Sequence, residues 1–277
     1  MVDRLAVLLE RFPVSARVFN AGALCGVNLL DGDGRSGQMH LVRRGPLEVS
    51  HGGEPVQVDE PSLLLYPRPL PHRFRSDPVH GADLACADLH FEGGAQNPLA
   101  AALPAFTCVP LSALADAGPV LQLLFEEAFE RRCGRQAMVD RLFEVVVIQL
   151  LRYLMEQDQV RGGLLAGLSH PRLRHALVAM QSEPARDWTL EDLAAVAGMS
   201  RSVFAAAFRE AVGQTPGQYL QAWRVGLAQQ ALRRGRPLKR VAAEVGYGSE
   251  AALSRAFKAQ AGVSPRAWKQ QLREAAA

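Results

Sequence analysis

Thr189-Leu-Glu-Asp-Leu-Ala-Ala-Val-Ala-Gly198, followed by Ser200, Phe208 and Gly213-Gln-Thr-Pro216, is echoed by Pro237-Leu-Lys-Arg-Val-Ala-Ala-Glu-Val-Gly246, Ser249, Phe257 and Gly262-Val-Ser-Pro265. Leu190 to Gly198 and Leu238 to Gly246 both span 8 residues, whereas Gly198 to Phe208 is 10 and Gly246 to Phe257 is 11. The stretch is therefore one unit written twice, with a residue added in the second turn.

Each copy reads as two helices around a tight turn. In the first, Leu190, Leu193 and Ala197 form an apolar stripe, Gly198 supplies the left-handed backbone that ends a helix, and Ser200 is placed to cap the next. Phe204 and Phe208 then face inward, which leaves Arg201, Ser202, Ala205, Ala206 and Arg209 on the other side. In the second copy Val241 and Val245 make the stripe, Gly246 the stop, Ser249 the cap, and Leu253 with Phe257 the inward face. Its outward residues are Glu250, Ala251, Ser254, Arg255 and Lys258, with Ser249 at the start. A second helix bearing small and basic side chains outward is the geometry that lays a recognition helix in the DNA major groove. One copy alone is a common packing element, but two in tandem point to double-stranded DNA.

Between the copies, Pro216 to Arg234 is a 19-residue helical pattern with Tyr219, Leu220, Trp223, Leu227 and Leu232 spaced for burial. At about 1.5 Å per residue it spans roughly 28 Å, close to the roughly 34 Å turn of B-DNA. A single chain is thus expected to read two half-sites in successive major grooves.

Charge agrees with this reading. The chain of 277 residues has a net charge of +3, but Gly167 to the end holds 16 Lys+Arg against 8 Asp+Glu, and the remainder 15 against 20. The basic excess of +8 therefore sits with the repeat and −5 elsewhere, as a phosphate-binding surface requires. With 48% hydrophobic and 21% charged residues the chain is ample for two domains with real cores. Acidic Asp3 and Glu10 and the Phe12-Pro13 break argue against a signal peptide. No uncharged apolar run reaches the roughly 18 residues of a membrane span. Four cysteines without short-range pairing suggest the reducing cytoplasm.

Before the repeat the pattern changes. A short helix is expected over Val2 to Phe12, then short strands at Arg17–Phe19, Cys25–Leu29, Met39–Arg43, Leu47–His51, Pro55–Val58, Ser62–Tyr66 and Ala85–His90. Turns at Asp31-Gly-Asp-Gly34, His51-Gly-Gly-Glu54 and Asp59-Glu-Pro61 separate them, so an antiparallel barrel or jelly roll is expected. From Pro119 to Asp158 the pattern is helical, broken at Cys133-Gly134. Met138 to Glu156 is apolar nearly all round, so it is buried on several sides, within its own domain or against a second subunit. Gln159-Val-Arg-Gly-Gly163, running on to Gly167, reads as a linker.

The paired Ala-Ala/Gly/Phe/Gly/Pro frame, Trp223-Arg224 and the ending Gly246-Tyr-Gly-Ser249 through Phe257-Lys258 to Pro265 resemble the DNA-binding domain of the AraC/XylS regulators, over roughly Ser169 to Lys269. The resemblance implies a base-reading role for Arg255 and a phosphate-side role for Lys258. Many members of that family carry arginine at the position of Ala206, so base reading by the first copy falls here to Arg201, Ser202 and Arg209. Pro61, then Pro67-Arg-Pro69 and His72, is similar to the second half of the cupin signature, with prolines where glycines are usual. His40 sits where cupins place their first ligands, without the usual His-x-His pair and following glutamate. A cupin-like domain in front of an AraC-type reading head is a common order in this family, whose helices before the reading head commonly build a dimer.

Cys25, His40, His72 and Cys86 lie on separate stretches of the expected barrel, and three readings of them stay open. They form a Cys2His2 set for a zinc-like divalent ion; or Cys25 and Cys86 are a thiol pair that oxidants close; or all four are core residues making ordinary contacts. The Leu24-Cys-Gly26 and Leu84-Ala-Cys86 settings resemble cupin-type regulators that respond to reactive chlorine species. Cys108, Cys133 and His90 carry weaker signals.

Together these readings imply an α+β chain. Residues 1–115 are expected to form a cupin-like antiparallel β-barrel, 116–160 a helical dimerisation or connecting segment, and 169–277 an all-α domain with two helix-turn-helix motifs joined by a linker helix. The expected function is sequence-specific transcription regulation, as a homodimeric activator working with RNA polymerase, controlled by a small molecule, metal or oxidant. No catalysis is expected; the alternative is a cupin metalloenzyme fused to a DNA-binding domain, and a weaker rival is a DNA-repair methyl acceptor with a similar reading head.

Overall fold

The computed structural model describes residues 3–130, 132–157 and 162–274. They fall into two compact units, Phe12–Gln159 and a second that joins Met1–Arg11 to Val160–Ala277.

The chain enters through α1 (Ala6–Arg11) and continues into nine strands: β1 (Val14–Leu24), β2 (Val27–Leu30), β3 (Gly37–Arg44), β4 (Leu47–Ser50), β5 (Val56–Val58), β6 (Ser62–Tyr66), β7 (His72–Arg75), β8 (Ala82–Phe91) and β9 (Thr107–Pro110). They pair antiparallel in two sheets, ordered β1-β8-β3-β6-β9 and β2-β7-β4-β5. Val42, Leu64, Tyr66, Leu84 and Cys86 from the first sheet meet Leu47, Val49, Val58 and Phe74 from the second, so the core of this unit lies between the sheets. This is the expected antiparallel barrel.

Two strands escaped the sequence reading. β7 is four residues with arginine at its outward positions, Arg73 and Arg75, and only His72 and Phe74 buried. β9 is equally short and ends on Pro110, which an edge strand tolerates because no partner needs its missing N–H. β1 runs well beyond Arg17–Phe19, with a bulge between Val18 and Asn20. Cys25 falls in the turn after β1 rather than on a strand, since Gly26 at φ +69° reverses the chain there.

Helices α2 (Pro98–Ala102), α3 (Gly118–Phe129) and α4 (Arg135–Glu156) belong to the same unit as the strands. α4 lies along the edge strand β1, where a bare row of N–H groups would otherwise invite another strand. Asp140 accepts from the Val18 N–H at 2.7 Å and Glu144 from the Ala16 N–H at 3.3 Å, while Gln136 donates to the Val18 carbonyl at 3.0 Å. The side chains of one helix turn after another thus stand in for a missing strand. Val139, Phe143, Val146, Val147, Leu150 and Leu154 of α4 are buried within one chain. Its nearly all-round apolar pattern therefore finds most of its cover without a second subunit, and only Met138 and Val145 stay exposed.

The second unit is all helical: α5 (Leu164–Ser169), α6 (Leu173–Ser182), α7 (Leu190–Val196), α8 (Arg201–Val212), α9 (Pro216–Arg233), α10 (Leu238–Glu244), α11 (Glu250–Ala261) and α12 (Pro265–Glu274). The expected linker is corrected in part. Residues 158–161 lie outside the described ones, but 164–167 are helix, with Leu164, Leu165 and Leu168 buried. Gly167 serves close packing, since a Cβ there would stand 2.7 Å from Leu177 Cδ1 and 2.8 Å from Val212 Cγ2. α1 was expected with the barrel and instead packs on α6, with Leu8 fully buried and the Arg11 carbonyl accepting from Gln230 Nε2 at 2.5 Å. Its apolar side signalled burial, but not against what.

Candidate nucleic-acid interface and sensor residues

The first hairpin opens on a capping box. Thr189 and Asp192 exchange hydrogen bonds with each other's backbone N–H, each at 3.1 Å, which satisfies two donors that the start of α7 leaves open. Gly198 at φ +63° ends the segment, and Phe204 and Phe208 of α8 turn fully inward with ring centroids 5.6 Å apart. Ser200 stands at the N-cap of α8, but its hydroxyl makes no capping bond. In the second hairpin Ser249 does cap, accepting from the Ala252 N–H at 3.1 Å, and Leu253 and Phe257 of α11 are fully buried. Phe257 meets Trp268 edge-on at 5.6 Å.

α9 fixes the relation between the hairpins. It opens on a second capping box, Thr215 with Gln218, and carries Tyr219 under Phe208, its hydroxyl accepting from the buried Gln181 at 2.7 Å. Its 18 residues make it about 27 Å long. Arg224 projects from α9 and donates to the Pro184 carbonyl at 2.6 Å and the Arg186 carbonyl at 2.8 Å, with the Tyr247 ring 5.7 Å away. Burial pushes its guanidinium pKa down, which the neighbouring Tyr247 and Asp187 counter. Arg224 is therefore a clamp between α9 and the turn before α7 rather than a contact for DNA, a role that spacing could not distinguish from a surface cation.

Of the residues read as outward-facing, Arg201, Ser202, Arg209, Ser249, Glu250, Ala251, Arg255 and Lys258 are exposed, and Ala205 and Ser254 are half-buried. Ala206 is exposed as well. Arg201 pairs with Glu191 at 2.8 Å across the first hairpin, both side chains open to solvent. Such a pair is worth little and yields readily to a phosphate.

Comparison with known proteins agrees with this geometry. The cupin family matches residues 3–156, more than half of the chain, and the helix-turn-helix domain family matches residues 193–271. A putative AraC-like transcription regulator of Streptomyces lividans is 35% identical over 82% of this chain and 84% of its own length. The chain belongs to the AraC-like transcription regulators. The RCS-specific activator RclR of Escherichia coli (strain K12) is 27% identical over 86% of this AraC-like chain and 85% of its own length. Among solved structures, the DNA-binding domain of AdpA in complex with a target DNA is 32% identical, covering 38% of this chain and 96% of that one, with a TM-score of 0.36. This AraC-like regulator is thus a DNA-binding transcription regulator with an N-terminal sensor domain, and among its described residues no helix is long and apolar enough to cross a membrane.

In the sensor domain, two of the four expected residues come into contact. His40 on β3 and His72 on β7 face each other across the sheets with their Nε2 atoms 2.9 Å apart. His72 Nδ1 lies 2.8 Å from the Leu70 carbonyl, which can only accept, so that nitrogen carries the proton. His72 Nε2 is then the acceptor, and His40 Nε2–H donates to it. This leaves His40 Nδ1 as a bare acceptor, fully buried and without a partner among the described residues. Burial, reinforced by neighbouring His72, holds the pKa of His40 well below its ordinary value; burial also lowers that of His72, with the Leu70 carbonyl pulling part of the way back. The pair is neutral in the native core.

The Cys2His2 set does not assemble. Cys86 is the cross-strand neighbour of His40 and sits in the core, where burial raises its thiol pKa to about 12. Cys25 is exposed, with its sulfur 3.9 Å from the Val79 carbonyl. β1 and β8 pair Asn20 with Cys86 and Leu24 with Ala82, so Cys25 stands beyond a position four residues down β8 from Cys86. At about 3.3 Å per residue that is on the order of 13 Å, against the roughly 7 Å that a disulfide spans between Cα atoms. Among the described residues no three His, Cys, Asp or Glu side chains converge on a metal position.

Sequence reasoning missed the partners of the pair. Tyr66 stacks on His72 with centroids 4.0 Å apart, and its hydroxyl lies 3.3 Å from His51 Nδ1, with Phe106 alongside. β6 reads Ser-Leu-Leu-Leu-Tyr and is buried at every position, so its sequence carries no alternation that could have told which face Tyr66 takes.

Proposed function

We propose that this regulator is a sequence-specific activator, acting by binding rather than by turnover, whose two recognition helices α8 and α11 enter successive major grooves of one promoter. The observation that carries the reading is the pair of capped hairpins on one rigid helix about 27 Å long, each with basic residues exposed on its second helix. Arg201, Ser202, Ala205 and Arg209 serve the first half-site. Ser249, Glu250, Ala251, Ser254, Arg255 and Lys258 serve the second. Arg255 reads a base edge and Lys258 meets phosphate. The residues up to about 115 sense a small molecule or oxidant, those from 116 to 160 connect and dimerise through exposed Leu123, Met138 and Val145, and the chain acts in the cytoplasm with RNA polymerase. The alteration that oxidant sensing requires involves Cys25 as the accessible thiol, with Cys86 reached only after β1 moves.

Arg255→Ala is expected to weaken specific binding by about 1–3 kcal/mol and relax one base position, whereas Lys258→Ala weakens all sequences alike and flattens the salt dependence. Selection of bound fragments from a genomic library followed by footprinting checks this. An unchanged affinity and base preference for Arg255→Ala would remove the contact assignment.

A further inference from the structure

The first hairpin carries an apolar cleft of about 500 Å³ between α7, α8 and the start of α9, walled by Trp188, Leu193, Ala206, Pro216 and Leu220 with Arg209. That volume lies within the range of small-molecule sites. The duplication supplies an internal control for it. With the offset of 48 residues before the turn and 49 after it, Trp188, Ala206, Gly217 and Leu220 correspond to Arg236, Arg255, Arg266 and Lys269. Four cations stand in the second copy where the first has apolar side chains or none. In the second hairpin these equivalent positions are cationic, with Arg236 paired to Glu244; in the first they line an apolar hollow.

One charge is retained. Arg209, equivalent to Lys258, lies in the wall, and of the described lining residues none is acidic. Arg186 lies over the Trp188 ring at 3.9 Å, itself paired with Glu183 at 3.6 Å. We infer that this cleft is a binding site for a small amphipathic organic anion, an aromatic or aliphatic carboxylate whose apolar body fills the hollow and whose charge meets Arg209. Because Ala205, Ala206 and Arg209 also belong to the outward face of α8, an occupied cleft blocks DNA at the first half-site and leaves the second free. The alanine that removes a base-reading side chain is the one that opens the hollow. This regulatory consequence rests on the reading that α8 meets DNA; the ligand site itself does not.

The test is isothermal titration of the full-length protein with 2-naphthoate and its neutral analogue 2-naphthamide. Saturable binding of naphthoate, preferred over the amide, is expected. Ala206→Phe fills the cleft from an exposed helical position and is expected to weaken naphthoate at least about tenfold, while Arg209→Gln removes the preference for the anion. Circular dichroism of both variants checks that the fold is kept. No saturable binding to the wild type, or equal binding to Ala206→Phe, overturns the site; equal affinity for acid and amide overturns the anion. Footprinting with and without naphthoate completes the test. Loss of protection at one half-site only supports the regulatory consequence. Saturable binding with an unchanged footprint upholds the ligand site and overturns the placing of α8 on DNA.

Discussion

Gly198 and Gly246 occupy equivalent corners of the duplicated hairpin, yet replacing each by alanine is expected to cost different amounts. Both have left-handed backbone, φ +63° and +83°, and forcing an L residue there costs about 1–2 kcal/mol. Around Gly198 a new Cβ meets nothing within 4 Å, so Gly198→Ala pays that term alone. At Gly246 the Cβ would lie 2.7 Å from Ala185 Cα, 2.9 Å from the Ala185 carbonyl oxygen and 3.0 Å from Arg224 Nη2. Backbone cannot yield as a flexible side chain does, so the turn at Pro184–Arg186 must shift and Arg224 loses the carbonyls it clamps. Loss of those charge-assisted bonds adds about 1.5–3 kcal/mol, for a total of roughly 2.5–5 kcal/mol. Trp188, Trp223 and Trp268 are the chain's three tryptophans and all lie in the helical unit, so urea unfolding followed by tryptophan fluorescence reports that unit alone. The expected gap between the variants is about 1.5–3 kcal/mol. Equal destabilisation would refute the claim that Gly246 is required by a close approach rather than by its turn.

The neutral His40–His72 pair makes the barrel unit sensitive to acid. Both pKa values are lower in the folded than in the unfolded state, so the unfolded chain binds more protons; stability is full above about pH 6.5 and falls below it, by up to about 2.7 kcal/mol per pH unit if both titrate. Hydrogen exchange of the Gly37–Arg44 peptide between about pH 7.5 and 5 checks this after correction for the intrinsic rate, and a flat profile identical in His40→Leu would sink the assignment. Leu8→Ala is expected to cost about 2–5 kcal/mol, read in the tryptophan-reported transition of the helical unit; a loss confined to the barrel unit would contradict the packing of α1 on α6. Asp140→Ala strips the Val18 N–H of its acceptor at a cost of about 1–3 kcal/mol, and faster exchange at Val18 is the expected signature.

Much of the reading head was legible in the chain because its determinants are local. Capping residues, left-handed glycines and apolar spacing act within a turn or two of backbone, so Ser249, Gly198, Gly246, Phe204 and Phe257 announced their roles before any contact was known, whereas the capping box of Thr189 went unread and the cap expected of Ser200 does not form. The duplication then turned a weak motif into a strong one. The barrel was legible as a class, through alternation and turns, but β7 and β9 were too short and too charged or proline-bounded to declare themselves. The sensor residues show the limit most plainly. His40 and His72 are 32 positions apart, and only the pairing of β3 and β7 into facing sheets brings their nitrogens to 2.9 Å. Cys25 looked equivalent to Cys86 on the page and is separated from it by register, which depends on the bulge in β1 and the turn at Gly26. Likewise the apolar run of α4, the arginine of Trp223-Arg224 and the leucines of α1 all signalled burial or charge, while what they meet, an edge strand, a pair of carbonyls and α6, was decided by packing. Local backbone preference is written residue by residue. The partner of a buried group is chosen by the whole fold, because it depends on which surfaces the other elements leave open.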